Sequence, residues 1–259
     1  MALGRLIGRG RRRGPRPIPA SVRAVLLDAF GTLVTLDAPA PLLRALLRER
    51  LGAEVTEAQA SAALGAEVTH YRAHLHEGVD RERVARLHAG CAEVLRRALP
   101  DDPAIRAADT GLMTEILLDS LRFRVYDEVP DALARLRSAG VRLVAASNWD
   151  ASLPTVLDRV GLLAALDGVV ASASAGVAKP DPGLLRSALR LAGVEPGAAL
   201  HVGDGFREDV GAALGAGVRP VLLARDGGVG AVEYGTGEPL LPELLVIRTL
   251  AELPALLGH

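Results

Sequence analysis

Lysine and arginine together number 30 in this chain of 259 residues, yet Lys179 is the single lysine among them. Cations here are arginine by default. A lone lysine marks a place where a forked guanidinium would not serve, because an ammonium is a compact point charge on a mobile stem. Other polar residues share its setting: Asp28, the pair Ser147-Asn148, and Asp204 with Asp209. Asp28, Ser147-Asn148 and Asp204 each stand at the end of a short apolar run, and Lys179 precedes a helical pattern. Ligands of an open parallel sheet bind outside the carboxyl ends of its strands. One carboxylate at such an end is weak evidence; four features in this order are strong. They set a single point charge among anionic groups at a ligand-binding edge. The same lysine eliminates other chemistry. A phosphate-cradling Walker loop needs Gly-Lys-Ser/Thr, and Lys179 is followed by Pro180. No GxGxxG follows a strand, so dinucleotide binding has no support. His70 and His74 have the spacing of helix-borne zinc ligands, but Tyr71 stands where a metalloprotease has Glu, and the stretch reads as a solvated face.

Hydrophobic residues make up 49% and charged residues 24%, the chemistry of a globular chain. Aromatics are only 3%, so Leu, Val and Ala must build the core. The bias toward Ala, Leu, Gly and Arg suggests a GC-rich bacterial genome. No run of eighteen uncharged apolar residues is present, so no membrane span is expected. One cysteine, Cys91, excludes an internal disulfide and reads as a small core residue. Net charge is −1, which gives no support for specific nucleic-acid binding. Residues 1–20 form an Arg-rich, Gly/Pro-punctuated tail that reads as disordered. It could touch RNA or anionic lipid weakly, and a bland extension is the simpler expectation. It holds no apolar stretch of signal-peptide length, so a cytoplasmic setting is expected.

The elements that must position these residues follow from periodicity. Ala24 to Leu27 is a buried strand ending at Asp28. From about Pro41 the pattern is helical for some eighty residues, with Thr56 and Gln59 as a capping box and Gly78 as a stop. Asp80 caps the next helix, which ends at Pro100, and Thr110 caps a third. After Val125, strands at 141–146, 168–171, 198–202, 220–224 and 244–247 alternate with helices at 130–138, 151–160, 182–192, 208–215 and 249–257. This predicts an α/β fold: a Rossmann-like, doubly wound parallel sheet with an inserted all-α domain. Residues 21–36 and 126–259 form the core, and 37–125 the helical cap.

The segments LLDAFGTL (26–33), AASN (145–148), KPDP (179–182) and GDGFREDVGAALGAG (203–217) resemble the haloacid dehalogenase superfamily of hydrolases with a helical cap after the first strand. The resemblance spans residues 22–258. It implies an enzyme in which Asp28 is the nucleophile and forms an aspartyl-phosphate. It implies Mg²⁺ held by Asp28, the backbone carbonyl of Phe30 and Asp204, with Asp209 outside them. Ser147 would hydrogen-bond a phosphoryl oxygen, and Lys179 would neutralise Asp28 and the transferring group. Gly31 and Thr32 would present backbone N–H groups to the same oxygens, and Asn148 would join the phosphate-binding set. The implied partner is a small phosphorylated metabolite.

One departure matters. The superfamily's phosphatases carry an acid/base Asp two residues after the nucleophile, where this chain has Phe30. General acid–base help is worth roughly 10²–10⁴ in rate. A slow phosphohydrolase, or one restricted to good leaving groups, is the leading expectation. A 2-haloacid dehalogenase is an alternative, since halide needs no proton to leave. Against it, dehalogenases have Ser at the position of Asp204 and Tyr at that of Leu185, and their cap arginine position falls near Gln59. A catalytically weak scaffold with a binding role is the third reading. Arg72, His74 and His76 are possible anion contacts in the cap, with a wet surface as the plainer role.

Overall fold

The computed structural model describes residues 22–225 and 244–258. The Arg-rich segment 1–20 lies outside the described residues. Among the described residues eight strands run β1 (Ala24–Leu27), β2 (Val34–Leu36), β3 (Phe123–Val125), β4 (Arg142–Ser147), β5 (Gly168–Ala171), β6 (Ala199–Gly203), β7 (Arg219–Leu223) and β8 (Leu245–Ile247). Six form one sheet in the order β5-β4-β1-β6-β7-β8, every pair parallel. β1 lies inside it between β4 and β6, and its four residues AVLL are wholly buried. A continuous apolar run is what a strand covered on both faces requires.

The two faces are covered by different helices. Val25 and Leu27 pack with α6 (Val129–Ser138), α7 (Leu153–Arg159) and α11 (Glu252–Leu256). Ala24 and Leu26 face the other way, onto α9 (Gly183–Ala192) and α10 (Gly211–Ala216). The alternation of one strand thus feeds two cores, as a doubly wound sheet demands. A short helix, α8 (Ser172–Ala175), follows β5.

Between β2 and β3 the chain is helical: α1 (Pro39–Leu51), α2 (Glu57–His74), α3 (Arg81–Ala98), α4 (Pro103–Ala107) and α5 (Thr110–Ser120). These helices close a separate apolar core that includes Leu43, Leu47, Leu95, Ile105 and Ile116. Cys91 is buried in it. Thr56 and Gln59 make the expected capping box, and Asp80 caps α3 through the Arg83 N–H at 2.8 Å.

Some local expectations change. Asp109, not Thr110, caps α5, accepting the Leu112 N–H at 2.8 Å; its carboxylate is the stronger acceptor, and Thr110 becomes the first helical residue. The helix expected over 208–215 is present, but it opens with a π-helical turn, Phe206–Val210, before continuing as α10. No strand was expected at β2 or at β3, the latter falling inside the stretch 37–125 expected as helical; each is too short to show alternation, and they pair antiparallel where the helical insert leaves and rejoins the core. No helix among the described residues is long and apolar enough to cross a membrane.

Candidate active site

Three strands deliver the site. Leu27 of β1 is in register with Ala145 of β4 and Val202 of β6. Asp28, Ser147 and Asp204 therefore leave the sheet at one edge, within two residues of one another in register. Asp28 is buried at 7% exposure, and Ser147 beside it favours the charged form of its carboxyl.

Lys179 arrives from the loop before α9 and is itself buried. Its Nζ donates to Asp28 Oδ1 at 2.5 Å and to Asp209 Oδ1 at 2.6 Å. Burial works against its charge, but Asp209 and Asp28 more than offset that and hold it above the usual lysine range. Asp209 comes from the π-helical segment Phe206–Val210. Its Oδ1 also faces Nε2 of buried His201 at 2.8 Å, and its Oδ2 accepts the Gly205 N–H at 2.8 Å. Burial would raise its carboxyl; Lys179 and His201 instead hold it well below the usual range. Gly203 makes room for this, since a β-carbon there would lie 2.2 Å from Asp209 Cγ.

Asp28, Asp204 and Asp209 place one carboxylate oxygen each within 4.8 Å of the others, and no second cluster of this kind occurs among the described residues. The cluster is not neutralised by Lys179 alone. Burial, and then the charges of Asp28 and Asp209, push the Asp204 carboxyl up to about 7. Burial likewise pushes Asp28 up, although Lys179 pulls the other way. Hard oxygen donors with charge left over fit a divalent cation such as Mg²⁺. Asp209, with both oxygens already engaged, fits a place outside direct coordination.

The loop after Asp28 differs from expectation. The Gly31 N–H donates to Val34 O at 2.8 Å and the Thr32 N–H to Ala29 O at 3.3 Å. These two N–H groups close the turn rather than face a ligand. The Thr32 side chain is buried, and its Oγ1 has no hydrogen-bond partner. Phe30 stands at 42% exposure. Asn148 is also placed differently. Its Nδ2 donates to Lys179 O at 2.9 Å and its Oδ1 accepts the Lys179 N–H at 2.8 Å. Both ends of the amide are spent on holding the lysine backbone.

Two residues were missed at the sequence level. His201 bridges Asp209 and Leu26 O, the latter 3.1 Å from Nδ1. Its signal was a histidine inside the otherwise apolar strand ALHVG. Arg225 donates to Gly31 O at 3.1 Å and Thr32 O at 3.0 Å, pairs with Glu128 at 2.6 Å and lies 3.7 Å over the Tyr126 ring. In an arginine-rich chain it carried no signal of its own. In the cap, the His70 and His74 rings stack at 4.1 Å and line an open pocket with Arg83 and Arg86.

A family model for haloacid dehalogenase-like hydrolases matches residues 22–217. The chain belongs to that family of hydrolases. It is 36% identical over 102 residues to haloacid dehalogenase-like hydrolase domain-containing protein 3 of Bos taurus, covering 39% of this chain and 41% of that protein. It is 34% identical over 133 residues to a phosphoserine phosphatase of Thermus thermophilus, covering 51% and 53%. The matched segments thus span about half or less of these relatives' lengths. Among solved structures, a phosphatase of the same superfamily from Thermococcus onnurineus superposes with a TM-score of 0.61 at 24% identity, over 92% of this chain and 98% of that one. At that identity the likeness speaks for the fold.

Proposed function

We propose that this hydrolase is a Mg²⁺-dependent phosphohydrolase acting on a small phosphorylated metabolite through an aspartyl-phosphate at Asp28. The convergence of Asp28, Asp204 and Asp209 around Lys179 carries this reading. Phosphatase relatives support the substrate class.

Asp28, the Phe30 carbonyl and Asp204 would hold Mg²⁺, with Asp209 outside them. The cation, when bound, offsets phosphoryl charge as a Lewis acid. The Lys179 ammonium lowers the repulsion between the Asp28 carboxylate and an anionic ester. An Asp28 oxygen attacks phosphorus, and the bond from phosphorus to the leaving oxygen breaks with its electron pair on that oxygen. Water then cleaves the acyl phosphate, releasing inorganic phosphate and restoring Asp28. Ser147, at the end of β4 beside Asp28, would donate to a phosphoryl oxygen. Phe30 can neither protonate the leaving oxygen nor activate water. Substrates with good leaving groups, such as acyl phosphates, are therefore favoured.

Phe30 is also the observation that favours a second reading, 2-haloacid dehalogenation. The acidic cluster weighs against it, because Asp204 adds negative charge beside a carboxylate substrate. A panel of phosphate esters and acyl phosphates, run beside 2-chloropropionate with Mg²⁺ or EDTA, decides. Phosphate release that EDTA abolishes is expected. Turnover of chloropropionate unaffected by EDTA overturns the phosphohydrolase.

A further inference from the structure

Four consecutive residues from the end of β4 onward each face something different. Ser147, the last residue of β4, lies beside Asp28 and favours its charged form. Asn148 grips the Lys179 backbone from both sides. The Trp149 carbonyl accepts from Ser172 Oγ at 3.2 Å and from the Ala173 N–H at 3.1 Å. Asp150 turns the other way, into the helical insert.

Asp150 is wholly buried. Its Oδ2 accepts the Tyr71 hydroxyl of α2 at 3.1 Å and lies 3.4 Å from His88 Nε2 of α3. Its Oδ1 accepts the Ser152 N–H at 2.7 Å. Beside it the Ala151 N–H donates to Gly78 O at 2.8 Å. Gly78 permits the approach, since a β-carbon there would meet Asp150 Cβ at 2.8 Å. A buried carboxylate is costly unless its oxygens are bonded. Burial would raise this one, and His88 and Ser152 reverse the shift. Two of the side chains that make its burial tolerable belong to the insert.

We propose that Asp150 is a positioning residue that couples the seating of the helical insert to the placement of Lys179, through the Ser147–Asp150 loop. The geometry stands whether or not the phosphohydrolase reading holds, and the test needs no turnover.

The composition supplies two single-site reporters. Lys179 is the only lysine and Trp149 the only tryptophan. Full-length protein labelled with ¹³Cε-lysine and ¹⁵N-tryptophan gives one side-chain signal from each. Tyr71→Phe and Asp150→Asn are expected to move both signals by more than a linewidth. Leu87→Ala, which thins the packing beside Gly78 without touching the carboxylate, should leave the Lys179 signal in place while lowering the melting temperature. If Asp150→Asn does not fold, Tyr71→Phe carries the test, since it removes one hydroxyl and keeps the ring. A Trp149 signal that moves while Lys179 stays fixed overturns the coupling. So does a Lys179 signal that Leu87→Ala moves equally. Absence of phosphatase activity in the wild type would count against the proposed function and leave these spectra unaffected.

Discussion

Asp204 lies so close over Gly31 that a β-carbon on the glycine would meet the carboxylate oxygen at 2.2 Å. Gly31 also has φ of +80°, a conformation that other residues adopt only under strain. The nucleophile loop and the acidic turn after β6 thus approach at a point with no room for a side chain. Gly31→Ala should cost roughly 1–2 kcal/mol from backbone strain alone. It should also displace Asp204 and weaken Mg²⁺ binding about 10–100-fold. Calorimetric titration of Mg²⁺ into folded variant checks this; unchanged affinity would separate Asp204 from the metal.

Asp28→Asn should abolish turnover in a protein that stays folded. The amide matches the carboxylate in size but is a poor nucleophile. Lys179 keeps Asp209 as its anionic partner. Circular dichroism alongside a phosphate-release assay reads both parts, and retention of most activity would remove Asp28 from the mechanism.

Lys179→Arg should lower kcat by about 10²–10³, the scale of losing a charge-stabilising donor. The ammonium sits buried between Asp28 Oδ1 and Asp209 Oδ1, a space set by two short contacts. A wider planar fork cannot keep both. Wild-type kinetics in this variant would make the lone lysine an accident of composition.

Phe30→Asp should raise phosphomonoesterase activity by up to about 10²–10⁴, the range of general acid–base help. At 42% exposure the ring fills no packed cavity, so the exchange should cost little stability. Acyl phosphates should gain least, because their leaving groups need little protonation. A folded, Mg²⁺-binding variant with no gain on any ester would argue for a binding role or dehalogenation.

The stabilising effect of Mg²⁺ should grow with pH. Asp204 has an ordinary value of 3.8 and is pushed to about 7 in the fold. Between those values the folded, metal-free protein holds a proton that the unfolded chain has released. This group's contribution to stability therefore falls as pH rises through that window. Mg²⁺ must displace the proton below about pH 7 and need not above it. The rise in melting temperature on adding Mg²⁺ should be larger at about pH 8 than at about pH 6. Equal shifts at both would place Asp204 outside the metal site.

The sheet was legible because its strands are short apolar runs ended by polar residues. Asp28 and Asp204 stood out by that rule and Lys179 by its rarity, while the roles expected of them came from the resemblance. What escaped was decided by partners distant in sequence. Asn148 was expected to join the phosphate-binding set, and its amide meets the Lys179 backbone instead; Asp150 carried no signal in the sequence, because Tyr71 and His88 reach it from far along the chain. Gly31 and Thr32 were expected to offer N–H groups that the turn itself consumes. β2 and β3, of three residues each, are stabilised by each other rather than by any pattern of their own.

The salt-bridged ammonium of Lys179 has a consequence for how this protein can be modified. It is the only side-chain amine in the sequence, and it is 4% exposed. Acetyl groups, ubiquitin-like tags and amine-directed crosslinkers find no lysine on the surface. Any reagent that does acylate this lysine removes the charge that Asp28 and Asp209 share and leaves two buried carboxylates without their common cation.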